Sequence, residues 1–322
     1  MASEYRYTIR KFLRDWALII GMIVGASAYL IYAAIPALHP AGPFLESFIT
    51  HLQPLLIFTM LFLSFCKIEP RQMRLHRWML RVLGLQCGLF VALMLLLILV
   101  PGLPFRIGVE ALALCVICPT ATACAVVTGK LGGNMAGVVT YTVMINLAAA
   151  VLVPLMLPLL HPSEDLNFFQ AFLRILSKVF PLLILPALCA WAVRALLPRF
   201  HAWLLGFPNL SFYIWAFSLS LAILMSTRAI VHNASSTSII AQIFFASLLA
   251  CVFQFWAGRR IGHRYACPIS AGQAFGQKNT VFGMWMGYTF FTPVTSVAGG
   301  FYSIWHNCYN TWQMYRKRVN KK

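Results

Sequence analysis

The fold this sequence predicts is an all-α membrane protein of about ten transmembrane helices, arranged as two inverted five-helix repeats with broken, crossing helices 4 and 9. Three observations lead there. Of 322 residues, 61% are hydrophobic and only 10% charged, where soluble domains carry roughly 25% charged residues. Apolar runs of about 20 residues, each able to cross a hydrocarbon layer of roughly 30 Å as a helix, follow one another along the chain with short links. Two of these runs, the fourth and the ninth, carry helix breakers and polar side chains near their middles.

Segment 1 is expected over 16–36, after Arg6, Arg10, Lys11 and Arg14. Its apolar run exceeds the roughly 7 to 15 residues of a secretory leader and no small-x-small cleavage site follows, so a retained helix is expected. Segment 2 (47–66) ends before Lys67, Arg71, Arg74, Arg77 and Arg81, which lead into segment 3 (78–100). Segment 4 (108–129) ends at Lys130 and is followed by segment 5 (136–160). Segment 6 (175–197) closes on Arg194 and Arg199, and segment 7 spans 208–230. Segment 8 (237–257) precedes Arg259, Arg260 and Arg264. Segments 9 (268–289) and 10 (292–313) lead to Arg316, Lys317, Arg318, Lys321 and Lys322.

The remaining loops hold only Arg106, Arg174, Lys178 and Arg228. Basic residues therefore gather on alternate loops, and the net charge of +18 follows the positive-inside rule, with no nucleic-acid partner implied. Both termini are expected on the cytoplasmic face of the cell inner membrane. Trp16, Trp78, Trp256 and Trp312 lie near segment ends, where interfacial anchors belong. Of the seven acids, only Glu110 is expected inside a segment. The nine cysteines are scattered mainly through apolar runs without a His-rich pattern, so no disulfide, metal or cofactor is expected. Asn233-Ala-Ser235 fits a glycosylation acceptor, a short pattern that chance readily produces.

Segment 4 carries Cys118-Pro119-Thr120-Ala121-Thr122, and segment 9 carries Gly272-Gln273 and then Gly276-Gln277-Lys278-Asn279-Thr280. Each break is in the fourth segment of a group of five. A repeated unit with an odd number of spans enters the membrane in the opposite orientation, and broken helices at matching positions then mark a binding site. Pro119 removes a backbone donor, and Gly276 permits an unwound backbone. The freed N–H and C=O groups can hold ions or anions. Lys278 stands out, because an unshielded ammonium at mid-bilayer costs roughly 2.5 to 3.5 kcal/mol and such a residue usually lines a cavity or meets a partner. Cys, Met and aromatic residues elsewhere read as packing.

Several stretches resemble the bile acid:sodium symporter family and its bacterial homologues, within the bile acid, arsenite and riboflavin transporter superfamily. They are Leu56-Ile57-Phe58-Thr59-Met60-Leu61-Phe62-Leu63 with Arg74, Gln86 in Leu85-Gln86-Cys87, and Cys118-Pro119-Thr120-Ala121-Thr122-Ala123. Gly133-Asn134, Gly276 with Asn279-Thr280, and Phe301-Tyr302-Ser303-Ile304-Trp305-His306-Asn307 complete the set, the last being the most specific. The resemblance covers nearly the whole chain. It implies a panel domain from segments 1, 2, 6 and 7 (1–70 and 161–232) and a core domain from segments 3 to 5 and 8 to 10 (71–160 and 233–322), with substrate between them near the crossovers. Sodium-coupled members hold two sodium ions with a glutamate and a glutamine of helix 9, a Ser-Asn pair of helix 4, and Ser and Thr side chains of helices 4 and 5. This chain has Ala274 for the glutamate, Lys278 for the glutamine, Cys124-Ala125 for the Ser-Asn pair and Val138 for the helix 5 serine, and keeps Thr142.

Together these readings predict a secondary active transporter of a small organic anion, a carboxylate, working by alternating access. Sodium independence is expected, with the Lys278 ammonium replacing a bound cation and bracing against Gln86, Thr142 or the segment 4 carbonyls; Gln277 and Cys124 belong to the same region. Thr120, Thr122, Asn279 and Thr280 are the expected substrate contacts, followed by Asn146 and Gln273, while Pro119 and Gly276 supply free backbone. His306 is expected to be a packed, hydrogen-bonded residue. Proton coupling through Lys278 is the competing use of that residue, and sodium-coupled symport of a bile acid-like anion is the alternative carrier. Arsenite-type export through a Cys118 or Cys124 thiol and a non-translocating sensor are lesser readings. An enzyme would need a catalytic dyad or metal cluster at mid-depth, and neither is evident in the sequence. The expected partners are the substrate and the bilayer, with no obligate protein partner.

Overall fold

The computed structural model describes residues 17–121, 123–162, 166–207, 209–233 and 237–319. These form fourteen α-helices and no strand: α1 (Ala17–Ala34), α2 (Gly42–Cys66), α3 (Arg77–Leu99), α4 (Arg106–Ile117), α5 (Cys124–Leu131), α6 (Met135–Leu160) and α7 (Phe168–Leu183). Then follow α8 (Leu185–Leu196), α9 (Pro198–Leu205), α10 (Leu210–Asn233), α11 (Thr237–His263), α12 (Pro268–Gly276), α13 (Thr280–Phe290) and α14 (Val297–Val319). Five stretches are long and apolar enough to cross a membrane: Pro36–Cys66, Arg77–Leu99, Met135–Leu160, Leu210–His232 and Thr237–His263. The pair α7 and α8, bent by 40°, makes a sixth if taken as one span. Large apolar side chains such as Phe44, Leu99, Phe245, Leu249 and Trp256 are exposed along these helices, as a lipid solvent allows. The chain is an all-α integral membrane protein.

Local chemistry sets the helix ends. Asn134 caps α6 by accepting from the Gly137 N–H at 3.0 Å. Asn167 and Gln170 form a reciprocal capping box at the start of α7. Gly132 ends α5 at φ +86°, a conformation that a side chain disfavours. Packing then sorts the helices. One group brings α1 and α2 against α10, with α8 on α2. The other brings α3 against α4 and α6, and α11 against α4, α12 and α14. The groups meet where α10 packs on α13 and α14, and where α6 packs on α7.

Some sequence expectations change here. Trp78 is buried in a core cluster and stacks on Tyr141 with ring centres 5.9 Å apart, so it packs the protein interior and does not anchor at the interface. Trp256 and Trp312 are exposed. Glu110 is inside α4, beside Arg106 at 3.5 Å. Glu46, expected just before segment 2, lies within α2, and Arg228, grouped with the loop cations although inside the bounds of segment 7, lies within α10; the two form an ion pair. The helix α11 runs on past its expected end and takes in Arg259 and Arg260. The basic residues of 1–16, Trp16, Lys321 and Lys322 lie outside the described residues, and Asn233-Ala-Ser235 runs into them.

Candidate functional site

Proline makes the first break. The residue before a proline is pushed out of the helical region, and Cys118 accordingly sits at φ −49°, ψ +128°, ending α4 ahead of Pro119. The second break follows Gly276, with Gln277 extended at φ −92°, ψ +104°. Asn279 restarts the chain as the cap of α13, its side chain accepting from the Phe282 N–H at 3.3 Å.

The two breaks satisfy each other. Ala121 N–H donates to the Gln277 carbonyl at 2.9 Å, and Asn279 N–H donates to the Pro119 carbonyl at 2.8 Å. Thr120 and Lys278 thus pair as an isolated antiparallel bridge of the type that brings opposed side chains close. The Cys118 thiol donates to the Asn279 carbonyl at 2.8 Å, and the Thr120 hydroxyl to the Ala274 carbonyl at 2.7 Å. Backbone groups that each helix lost by stopping are recovered from the other broken helix.

Lys278 is 1% exposed. Its ammonium donates to the Val116 carbonyl at 3.1 Å and lies 5.2 Å from the centre of the Phe275 ring. Val116 is in the last turn of α4, where carbonyls have no helical partner and the helix dipole is negative. A cation there compensates the helix end. Gln86 of α3 shares the duty, donating to the Val116 and Cys118 carbonyls at 2.7 and 3.3 Å and accepting from the Tyr141 hydroxyl at 2.6 Å. Lys278 makes no ion pair among those of the described residues.

A cavity of about 790 Å³ lies against this crossing. On one side it is walled by α2 and α10, through Leu61, Ser64, Phe65, Phe212 and Trp215. On the other are Ala121, Ala123, Thr142, Gln277, Lys278, Asn279, Thr280, His306 and Asn307. It also reaches Lys67, Glu69 and Lys130. Burial just past the end of α2 holds the Lys67 ammonium below its ordinary pKa. Three buried polar atoms on the cavity lining have no hydrogen-bond partner among the described residues: Gln277 Oε1, Asn279 Nδ2 and His306 Nδ1. Such orphans are rare in finished interiors and point to something that completes them. The first turns of α5 and α13 also line the cavity, so two positive helix ends meet there.

No family model and no curated protein matches this chain.

Of the residues singled out from sequence, Lys278, Gln277, Asn279, Thr280 and Thr142 line the cavity. Thr142 uses its hydroxyl on the Val138 carbonyl of its own helix, at 2.9 Å, and Thr280 pairs with Ser303. Thr120, Gln86 and Cys124 are buried behind the lining, with Cys124 beside Thr128 at 3.9 Å. Gln273 donates to Asn310 at 2.9 Å and Asn146 to the Leu183 carbonyl at 3.5 Å, both away from the cavity. Thr122 lies outside the described residues. The Pro119 carbonyl is not free as expected, since it accepts from the Asn279 N–H at 2.8 Å. Gly276 has no left-handed backbone; a Cβ there would come within 2.4 Å of the Phe255 ring, so close packing requires the glycine. Its carbonyl accepts from the Tyr302 hydroxyl at 2.7 Å. Sequence reasoning missed His306 and Asn307 as lining residues, although two adjacent polar side chains in an apolar segment were a usable signal.

Proposed function

We propose that this protein is a secondary active transporter of a small organic anion, a carboxylate, that works by alternating access without sodium. The observation that carries the reading is the cavity between two groups of helices, set against a crossing of two broken helices. Its lining has three lysines to one glutamate, two helix N-termini and the unpartnered Asn279 amide, all of which favour an anion. Ten spans in two inverted repeats of five place the breaks at equivalent positions. The α1, α2 and α10 group then corresponds to a panel domain and the rest of the crossing helices to a core domain, as the resemblance to bile acid:sodium symporters implies. Lys67 just after α2 and Lys130 in the last turn of α5 lie on the side of the basic loops, so the positive-inside rule makes the cavity open to the cytoplasm.

Lys278 is the replacement for a bound cation. A compact charge with three donors does from position 278 what a metal ion would do between the helices, neutralising carbonyl oxygens at the end of α4. Ala274 and Val138 in place of oxygen-bearing residues leave the neighbourhood poor in hard ligands. Proton coupling is the second reading, favoured because the ammonium is held by a carbonyl and a ring, with no carboxylate among the described residues to fix its charge.

The test is the melting temperature of purified protein with a panel of small carboxylates, in sodium buffer and in potassium or choline buffer. A ligand at 100 times its Kd adds about 2.7 kcal/mol of stability. Equal stabilisation in the two buffers, with uptake into proteoliposomes in either, is expected. Stabilisation only in sodium would return the protein to sodium-coupled symport, and uptake driven by a pH gradient would select proton coupling. Lys278→Gln is expected to lose uptake or to acquire a sodium requirement; normal sodium-free uptake by that variant sinks the replacement.

A further inference from the structure

The cavity and a second polar cluster occupy opposite ends of the same α2 and α10 wall. Glu46 of α2 pairs with Arg228 of α10, and Tyr288 of α13 touches both. Arg228 Nη1 donates to the Tyr288 hydroxyl oxygen at 3.3 Å, and that hydroxyl donates to Glu46 Oε1 at 3.4 Å. On the flank, Tyr29 and His232 share a hydrogen bond of 2.8 Å. From Glu46 to Ser64 along α2 the rise is roughly 27 Å, and from Ser211 to Arg228 along α10 roughly 25 Å, at about 1.5 Å per residue. Those lengths are close to the thickness of a bilayer's hydrocarbon.

Between the two ends the helices close up. Under the cluster, α2, α10 and α13 enclose only about 30 Å³, walled by residues that include Gln53, Met225, Met284 and Trp285. Two polar atoms buried along this stretch have no partner among the described residues, Gln53 Oε1 and Ser226 Oγ. Water entering between the helices would complete both atoms.

We propose that Glu46, Arg228 and Tyr288 form the gate of the far-side pathway, which runs between α2, α10 and α13. This rests on the alternating-access reading. The ion pair joins α2 to α10 and can stay intact as these two helices move together. Opening parts only the Tyr288 hydroxyl from its two partners, and entering water replaces both bonds. The two bonds that part are long, at 3.3 and 3.4 Å, and their partners Glu46 and Arg228 are partly exposed, so the closed state is held weakly enough to open in each cycle.

The test is the rate at which a membrane-impermeant maleimide labels Ser226→Cys from the far face of sealed vesicles, with the full-length protein lacking that substitution as the baseline. Tyr288→Phe removes the link to α13 without disturbing the ion pair. It is expected to speed labelling about threefold to tenfold, the factor that follows if its two long bonds, at 3.3 and 3.4 Å, together contribute about as much as one hydrogen bond of ordinary net strength. Glu46→Gln should act in the same direction, and the double exchange Glu46→Arg with Arg228→Glu should restore slow labelling. Labelling of Ser64→Cys from the cavity face should slow as labelling of Ser226→Cys rises. Equal rates with and without Tyr288→Phe and Glu46→Gln overturn the gate. Because labelling needs no substrate, a response to these variants supports the gate even if no carboxylate is bound or carried, which would instead refute the carrier reading.

Discussion

Lys278 and Arg228 are both cations set in or between helices, and the protein holds them in opposite ways. Lys278 is almost completely buried and is met by a backbone carbonyl and an aromatic face. The side chain of Arg228 is 30% exposed and is met by a carboxylate and a phenol. The deep charge is compensated by a helix end that Pro119 has left open, so the break and the lysine are two halves of one arrangement. The shallower charge needs no broken helix, since water screens it and Glu46 neutralises it. One cation is therefore part of the architecture and the other is part of an adjustable contact.

The largest effect that would sharpen this contrast is expected from Lys278→Glu. It sets a carboxylate against the Val116 and Cys118 carbonyls at a negative helix end, a loss of about 3 to 5 kcal/mol by analogy with an uncompensated buried charge. The yield of monodisperse, folded protein should collapse; normal yield and melting temperature would show that the site tolerates either sign. Gln86→Leu should cost less, about 1 to 3 kcal/mol, because the Tyr141 hydroxyl loses its acceptor and two carbonyls lose a donor. Its melting temperature should fall while that of a lipid-facing control such as Leu249→Ala barely moves. Arg228→Met is expected to have the smallest effect on stability, within about 1 kcal/mol and shrinking further in high salt. A loss as large as that of Gln86→Leu would break the comparison.

Much of the crossing was legible in the sequence. Pro119 and the polar run from Gly276 to Thr280 mark both breaks, since a proline's missing N–H and a lysine's desolvation cost are properties of single residues. The partners were not legible. Lys278 and Val116 are 162 positions apart, and Glu46 and Tyr288 are 242 apart. Glu46 and Arg228 each sit near the end of an apolar run, and nothing in either run shows that the two pair. Gly276 was read as backbone freedom, whereas a ring from α11 packs where its side chain would be. His306 is packed as the sequence suggests, but its Nδ1 has no hydrogen-bond partner among the described residues and the residue lines a cavity whose opposite wall comes from α2 and α10.

The sequence by itself determined an all-α membrane protein, the places where two of its helices stop, and the presence of a charge that must be compensated. Run length, proline and desolvation act within a few residues of chain, so a local reading captures them. Only the tertiary structure decided that each break completes the other, that a helix end receives Lys278, and that one pair of helices walls a cavity at one end and a closed clasp at the other. Hydrogen bonds and cavity walls form between surfaces distant in sequence, and no local pattern encodes which surfaces meet.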